Sequence, residues 1–279
     1  MHLIGTGSRA LDALLLGGVR RGLLYSVFGA SGSGKTQLCM QLALNAARGM
    51  HDDARVLIVD AKGDFRPERM LEMDRMGMHG ESYYAGRDED EGRDGCDASG
   101  EGCRYGLGDG SMSFMDRVYV QRAYDVDGVL DSLRYVDRMY ERHTVPLVIV
   151  EDSPSLFRLE YGSKSAEGHF RLMRLMHDLA LRAVLRNTAV VVTNGIASAA
   201  ADGMYGGESS GSRGERQIMD RSVSMFSHFR IRLERYERRE GNSVDGMVAR
   251  VFKATLLQPL AKNNTALFGI EGKGIVDVI

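Results

Sequence analysis

Apolar residues fall along this chain in short runs that alternate with helical stripes. Leu23 to Phe28 is an apolar run ending at Gly29, the pattern of a buried strand entering a loop. Residues 36–48 follow with Leu38, Leu42 and Ala46 at helical spacing. Val56 to Val59 predicts a second buried strand, closed by Asp60. Arg66 to Met76 predicts a helix with Pro67 in its first turn, where a missing N–H costs nothing. Val118 to Val120 predicts another strand. An amphipathic helix then carries Val126, Val129, Leu130, Leu133, Val136 and Tyr140. Leu147 to Val150 is the most apolar strand. Residues 166–186 predict a long helix with Phe170, Met173, Met176, Leu179 and Ala183 on one stripe, and Ala189 to Thr193 predicts a further buried strand.

Strands alternating with helices imply a parallel sheet covered on both faces. The pattern changes after residue 225. Phe229, Ile231 and Leu233 alternate with Arg230, Arg232 and Glu234, as in a half-exposed strand, and residues 247–257 and 266–270 predict two more strands. The expected fold class is therefore α/β, a mostly parallel sheet flanked by helices with antiparallel C-terminal strands. Residues 1–279 are read as a single domain.

One stretch breaks the pattern. Residues 78–114 lose all periodicity and are rich in Gly, Asp, Glu and Ser. Their apolar content is too small to offset the entropy of ordering, so they are expected to form a disordered acidic insert. This changes how the net charge of −2 is read. Residues 80–110 hold nine acidic and three basic groups, a net −6, so the rest of the chain carries +4. A modestly basic body with an acidic appendage is compatible with a nucleic-acid partner without establishing one. The run Arg230, Arg232, Arg235, Arg238 and Arg239 is interleaved with Glu234, Glu237 and Glu240, and reads as a paired, solvated hairpin. Three cysteines, Cys39, Cys96 and Cys103, suggest neither a disulfide framework nor a metal site. No apolar run approaches the ~20 residues that span a bilayer. The opening Met-His-Leu-Ile-Gly-Thr-Gly lacks a leader pattern, so a cytoplasmic location is expected.

The clearest candidate chemistry follows the first strand. Gly29-Ala30-Ser31-Gly32-Ser33-Gly34-Lys35-Thr36 fits the phosphate-loop pattern between an expected strand and an expected helix. Glycines let the backbone curl so that successive N–H groups point at phosphate oxygens, and the following helix presents its positive end to the same anion. Lys35 supplies a point charge to the β- and γ-phosphates, and the Thr36 hydroxyl is a ligand for Mg²⁺. Such a site needs a carboxylate at the end of a buried strand. The Leu147–Val150 strand ends in Glu151-Asp152, both candidate metal ligands. Side chains alternate along a strand, so only one of the two normally faces the metal.

Several stretches, taken in order, resemble the RecA/RadA recombinase family, especially its RadB-like paralogues built from the ATPase core alone. Ile4-Gly-Thr-Gly-Ser-Arg-Ala-Leu-Asp12 resembles the lead-in to the phosphate loop, and Asp60-Ala-Lys-Gly-Asp-Phe-Arg-Pro-Glu-Arg69 resembles the second-strand motif. Tyr119 to Tyr124 resembles the third-strand motif, and Val148 to Tyr161 the Walker B segment and the start of the first DNA loop. Val190 to Asn194 resembles the strand leading to the second DNA loop, and Ala266 to Ile275 the terminal strands.

The resemblance implies a RecA-like P-loop NTPase core that binds ATP and Mg²⁺. Gly29 to Gln37 would hold the nucleotide, and Arg69 would pack against adenine. It also implies single-stranded DNA as a partner, met by Lys164 on a first loop from Arg158 to Gly168. On a second loop, Ala197 to Arg216, the contacts would be Tyr205, Arg213 and Arg216. The departures bear on catalysis. Lys62 stands where the family carries the Glu that polarises water, and a cation cannot be that base. Asp64, two residues on, is the candidate substitute. Gly195 replaces the Gln that senses the γ-phosphate. Glu151 matches the usual Walker B Asp, and Asp152 stands where Ser is usual. The family's helix-hairpin-helix domain and filament linker motif have no counterpart in these 279 residues, which leaves oligomerisation open.

The combination predicts an accessory recombination and repair protein with weak ATP hydrolysis, assisting a full-length RadA-type recombinase. Two alternatives stand beside it: an active DNA-dependent ATPase that performs strand exchange, and a regulatory RecA-like ATPase that does not bind DNA.

Overall fold

The computed structural model describes residues 3–49, 53–81, 113–198, 215–236 and 250–278. A two-residue strand, β1 (Leu3–Ile4), leads into α1 (Arg9–Leu14) and pairs antiparallel with β2 (Val19–Arg20). Ser8 caps α1 by accepting the Leu11 N–H. The phosphate loop lies between β3 (Leu24–Phe28) and α2 (Lys35–Arg48). Next come β4 (Ala54–Asp60), α3 (Pro67–Glu81) and, after a 3₁₀ turn at Phe114–Arg117, β5 (Val118–Arg122). Then follow α4 (Val126–Arg142), β6 (Thr144–Glu151), α5 (Ser153–Tyr161), α6 (Ala166–Arg186) and β7 (Ala189–Asn194). A small ladder joins β8 (Ile196–Ser198) to β9 (Glu215–Gln217). After α7 (Asp220–Ser224) the chain closes with β10 (Phe229–Arg235), β11 (Arg250–Gln258), β12 (Thr265–Glu271) and β13 (Gly274–Asp277).

Among the described residues the main sheet has the order β13-β12-β11-β10-β3-β7-β6-β4-β5. From β10 to β5 every pairing is parallel, and from β10 to β13 every pairing is antiparallel. Strands β3, β4 and β7 are buried along their whole length, and β6 in all but its first residue, because helices cover both faces. One core layer packs α2 against the sheet through Leu38, Leu42, Val56, Ile149 and Phe268. The other packs α4, α5 and α6 through Val129, Phe157, Leu172 and Val190. The mostly parallel sheet, its flanking helices and its antiparallel C-terminal strands are as the hydrophobic pattern predicts. Among the described residues no helix is long and apolar enough to cross a membrane.

Three boundaries differ from expectation. Helix α3 continues through residues 78–81, and Ser113 already caps the 3₁₀ turn, so the ends of the expected insert are structured. Each added helical residue gains a hydrogen bond once the turn is nucleated, which favours continuing α3 past Met76. The rest of that insert lies outside the described residues. Helix α5 was not expected. Pro154 in its first turn favours it, since proline's fixed φ suits that position. The expected first DNA loop therefore shrinks to residues 162–165, because α5 runs through Arg158 to Tyr161 and Ser165 caps α6 by accepting the Gly168 N–H.

Candidate nucleotide-binding site

The phosphate loop is curled as its glycines require. Gly32 and Gly34 have φ of 76° and 92°, and the Ser33 N–H donates back to the Ala30 carbonyl at 3.2 Å. A side chain at Gly34 would meet Ile270 Cδ1 at 2.9 Å and the Phe252 ring at 3.6 Å. A side chain at Gly29 would run into the Leu233 carbonyl on β10. Helix α2 starts directly after this turn, so its first N–H groups face the loop's interior. Lys35 Nζ donates to the Gly29 and Ala30 carbonyls, both at 2.8 Å. Burial pulls the Lys35 pKa below its ordinary value, which the charge of Asp152 partly opposes.

Glu151, read from the sequence as the Walker B carboxylate, lies at the carboxyl end of β6 and is only 3% exposed. It accepts a hydrogen bond from the Thr36 hydroxyl. Its Oε2 is buried with no hydrogen-bond partner. Burial raises its pKa to about 7, against the smaller opposing effect of Thr36. Asp152 has φ of 52° and makes different contacts at the edge of the same cleft. It accepts from Ser155 Oγ at 2.7 Å and from the Gly195 N–H, while its own N–H donates to Thr193 Oγ1 at 3.0 Å. Of the two adjacent carboxylates, Glu151 is the one that touches Thr36, and Asp152 ties β7 to α5.

Beyond β4 the chain turns around Asp60. This buried carboxylate accepts the N–H groups of Lys62 at 3.1 Å, Gly63 at 2.5 Å and Phe65 at 3.3 Å. Arg122 pairs with it from the edge strand at 3.4 Å. The turn presents Lys62 and Asp64, which form an ion pair with each other in the same cleft. Arg69 is not free at the cleft's outer end. Its guanidinium donates to Gln37 Oε1 at 3.0 Å, Glu72 at 2.7 Å, and the carbonyls of Glu271 and Gly272 at 2.5 and 2.9 Å.

The cleft encloses about 1320 Å³, more than the ~300–1,000 Å³ of most small-ligand pockets. Gly29, Ser31, Gly32, Gly34, Lys35, Thr36, Gln37, Asp64, Arg69, Glu151 and Asp152 all line it, so nearly every nucleotide-site residue read from the sequence converges there. Ala30 and Ser33 belong to the same loop but do not line it. The sequence reading missed the far wall, which includes Arg250, Phe252, Ile270 and Lys273. More than 200 residues separate that wall from the phosphate loop, and nothing in the Ala266–Ile275 stretch, though it resembles the family's terminal strands, shows that it faces the loop.

The residues expected to meet DNA are only partly visible. Lys164 is exposed on the short turn between α5 and α6. The backbone of Arg216 lies in β9, pairing with Ala197 of β8. Tyr205 and Arg213 lie outside the described residues. The basic stretch on β10 is more buried than a solvated hairpin. Arg230 pairs with Asp220, and Arg232 with Glu234 at 2.9 Å.

The model of one protein family, described as Rad51, matches residues 1–85 and 102–278. The gap between these stretches falls inside the acidic segment. The chain is 28% identical over 197 residues to "DNA repair protein rhp51" of Schizosaccharomyces pombe, covering 68% of this chain and 46% of that protein. It is 29% identical over 216 residues to "DNA repair and recombination protein RadA" of Ignicoccus hospitalis, covering 74% of this chain and 57% of that protein. The chain thus spans about half the length of these relatives. A phosphate loop, a buried acidic strand end and a family match over nearly all its residues lead to one assignment: the chain belongs to the Rad51 family.

Proposed function

We propose that this chain is an ATP- and DNA-binding protein of homologous recombination and DNA repair, an accessory paralogue that hydrolyses ATP slowly. The observation that carries the nucleotide reading is the contact of Thr36 with Glu151 beside the curled loop that holds Lys35. The buried, unpartnered Glu151 Oε2 and the Thr36 hydroxyl are hard oxygen donors of the kind Mg²⁺ takes. The loop's N–H groups and Lys35 suit the phosphates. Bound Mg²⁺ would neutralise phosphate charge. Gln37 and Arg69, at the cleft's outer end, suit the base side of the nucleotide. Residues 1–279 are read as one domain around this site.

Slow turnover follows from what the cleft holds in place of a base. Lys62 is a cation, Gly195 has no side chain to reach a phosphate, and Asp64, the remaining carboxylate, is engaged by Lys62. The names of the two relatives point to repair and recombination as the process. Single-stranded DNA is the proposed partner, with Lys164, Tyr205 and Arg213 on the contacting loops and Arg216 on β9, the strand that follows the second of them. A full-length RadA-type recombinase is the proposed protein partner.

The test is equilibrium ATP binding and single-turnover hydrolysis, each with and without single-stranded DNA. Wild type should bind ATP, and Lys35→Ala should lose about 10- to 150-fold in affinity, the value of one charge-assisted hydrogen bond. Turnover should stay slow when DNA is added. A large DNA-stimulated rate would replace the accessory reading with that of an active recombinase, and undiminished binding by the Lys35 variant would remove the site.

A further inference from the structure

Lys62 has no role in the reading above except as a missing base, yet its placement is that of a ligand. Its backbone is fixed, because the buried Asp60 carboxylate holds the N–H groups of Lys62, Gly63 and Phe65. The turn is further confined by Arg122, whose guanidinium occupies the space a side chain at Gly63 would need. The ammonium end, by contrast, is lightly held. Its ion pair with Asp64 is 48% and 42% exposed on the two sides, and exposed pairs are worth little, so exchanging this partner for another anion costs little. An anchored base with an exchangeable tip is a preorganised binding group.

The parallel order of the sheet brings Lys62 to the same carboxyl edge as the phosphate loop. The loop follows β3, Glu151 follows β6, and Lys62 follows β4, the strand whose last residue, Asp60, is in register with Glu151. Both lysines line one cleft, where the charge of Lys62 is felt at Lys35, Glu151 and Asp152. Two ammonium groups facing one cavity disfavour each other, and a polyanion between them relieves that repulsion.

We propose that Lys62 is a second phosphate-binding cation of this cleft, one that takes the terminal phosphate of a nucleoside triphosphate and makes the site prefer triphosphate over diphosphate. This rests on the reading of the cleft as a nucleotide site. Asp64 then acts as the parking place of Lys62 when no triphosphate is bound.

The experiment is calorimetric or fluorescence titration of the full chain with ADP and with the non-hydrolysable analogue AMP-PNP, in Mg²⁺ and in EDTA. Lys62→Gln should weaken AMP-PNP by tenfold or more and change ADP by less than about twofold. Lys62→Arg should keep the preference, and Asp64→Asn, which frees the lysine, should hold or strengthen it. In EDTA the wild type should still prefer AMP-PNP, and Lys62→Gln should not. Equal losses for both nucleotides in Lys62→Gln, or no loss for either, overturn the proposal. If Lys35→Ala abolishes binding while Lys62→Gln leaves both affinities intact, only this proposal fails. If the wild type binds neither nucleotide, the reading of the cleft fails first and takes this one with it.

Discussion

Glu151 shows how one side chain sets the electrostatics of the cleft. Its carboxyl is buried at the end of β6, which raises its pKa from the ordinary 4.5 to about 7. The sign of the effect on stability follows. The folded state holds the proton more tightly than the unfolded state, so the stability Glu151 contributes is complete below pH 4.5 and is lost as pH rises through about 7. The amount at stake is on the order of 3 kcal/mol. A neutral isostere escapes that loss. Glu151→Gln, without nucleotide or Mg²⁺, should therefore melt close to wild type at pH 5 and several degrees above it at pH 8, as followed by circular dichroism. The same gap at both pH values would show that the carboxyl is not strained by burial. The sequence placed two acids at this strand end but left open which one serves the loop. That choice is made by the backbone of Asp152, whose left-handed φ turns its carboxylate to Ser155 and Gly195.

Among elements, the phosphate loop was the most legible because its chemistry is local. The glycines, the lysine and the following helix are contiguous, and each has one physical reason to be there. Gly34 has two such reasons. Its φ of 92° is one that side chains rarely adopt, and a methyl group there would press on the tip of Ile270, 2.9 Å away. Gly34→Ala should accordingly cost about 1–3 kcal/mol from backbone strain alone and weaken nucleotide binding, read by denaturant unfolding and by titration. A variant as stable as wild type would mean that the loop relaxes freely. Helix α5 was illegible for the opposite reason. Its nine residues are too few to display a periodic stripe, and its start is marked only by Ser153-Pro154 after two acids. Without it, the tight turn at residues 162–165 reads as a long loop. The ends of α3 and of the expected insert were blurred in the same way, since helix propagation leaves little trace in composition.

Over the whole molecule, what the sequence could not show is how its two ends meet. The alternation of strands and helices gave the parallel half and its order of motifs. It gave no sign that β12 and the turn after it form the far wall of the phosphate-loop cleft, because contacts across more than 200 residues leave no local pattern. Arg69 makes that junction explicit. It stands on α3, yet its guanidinium holds the carbonyls of Glu271 and Gly272 and the side chain of Gln37 on α2. Three distant segments are thereby fixed around one cleft, and a ligand filling it should steady all of them. Hydrogen exchange should therefore slow on AMP-PNP binding both in the phosphate loop, residues 29–36, and in the turn at 271–274. Arg69→Ala separates the two effects. The loop should remain protected, because on the proposed reading its own N–H groups would hold the phosphates, while protection at 271–274 should fall away. Protection confined to the loop in the wild type would mean that the far wall is only scaffolding. Loss of protection at both segments in Arg69→Ala would mean that the arginine is needed for binding itself.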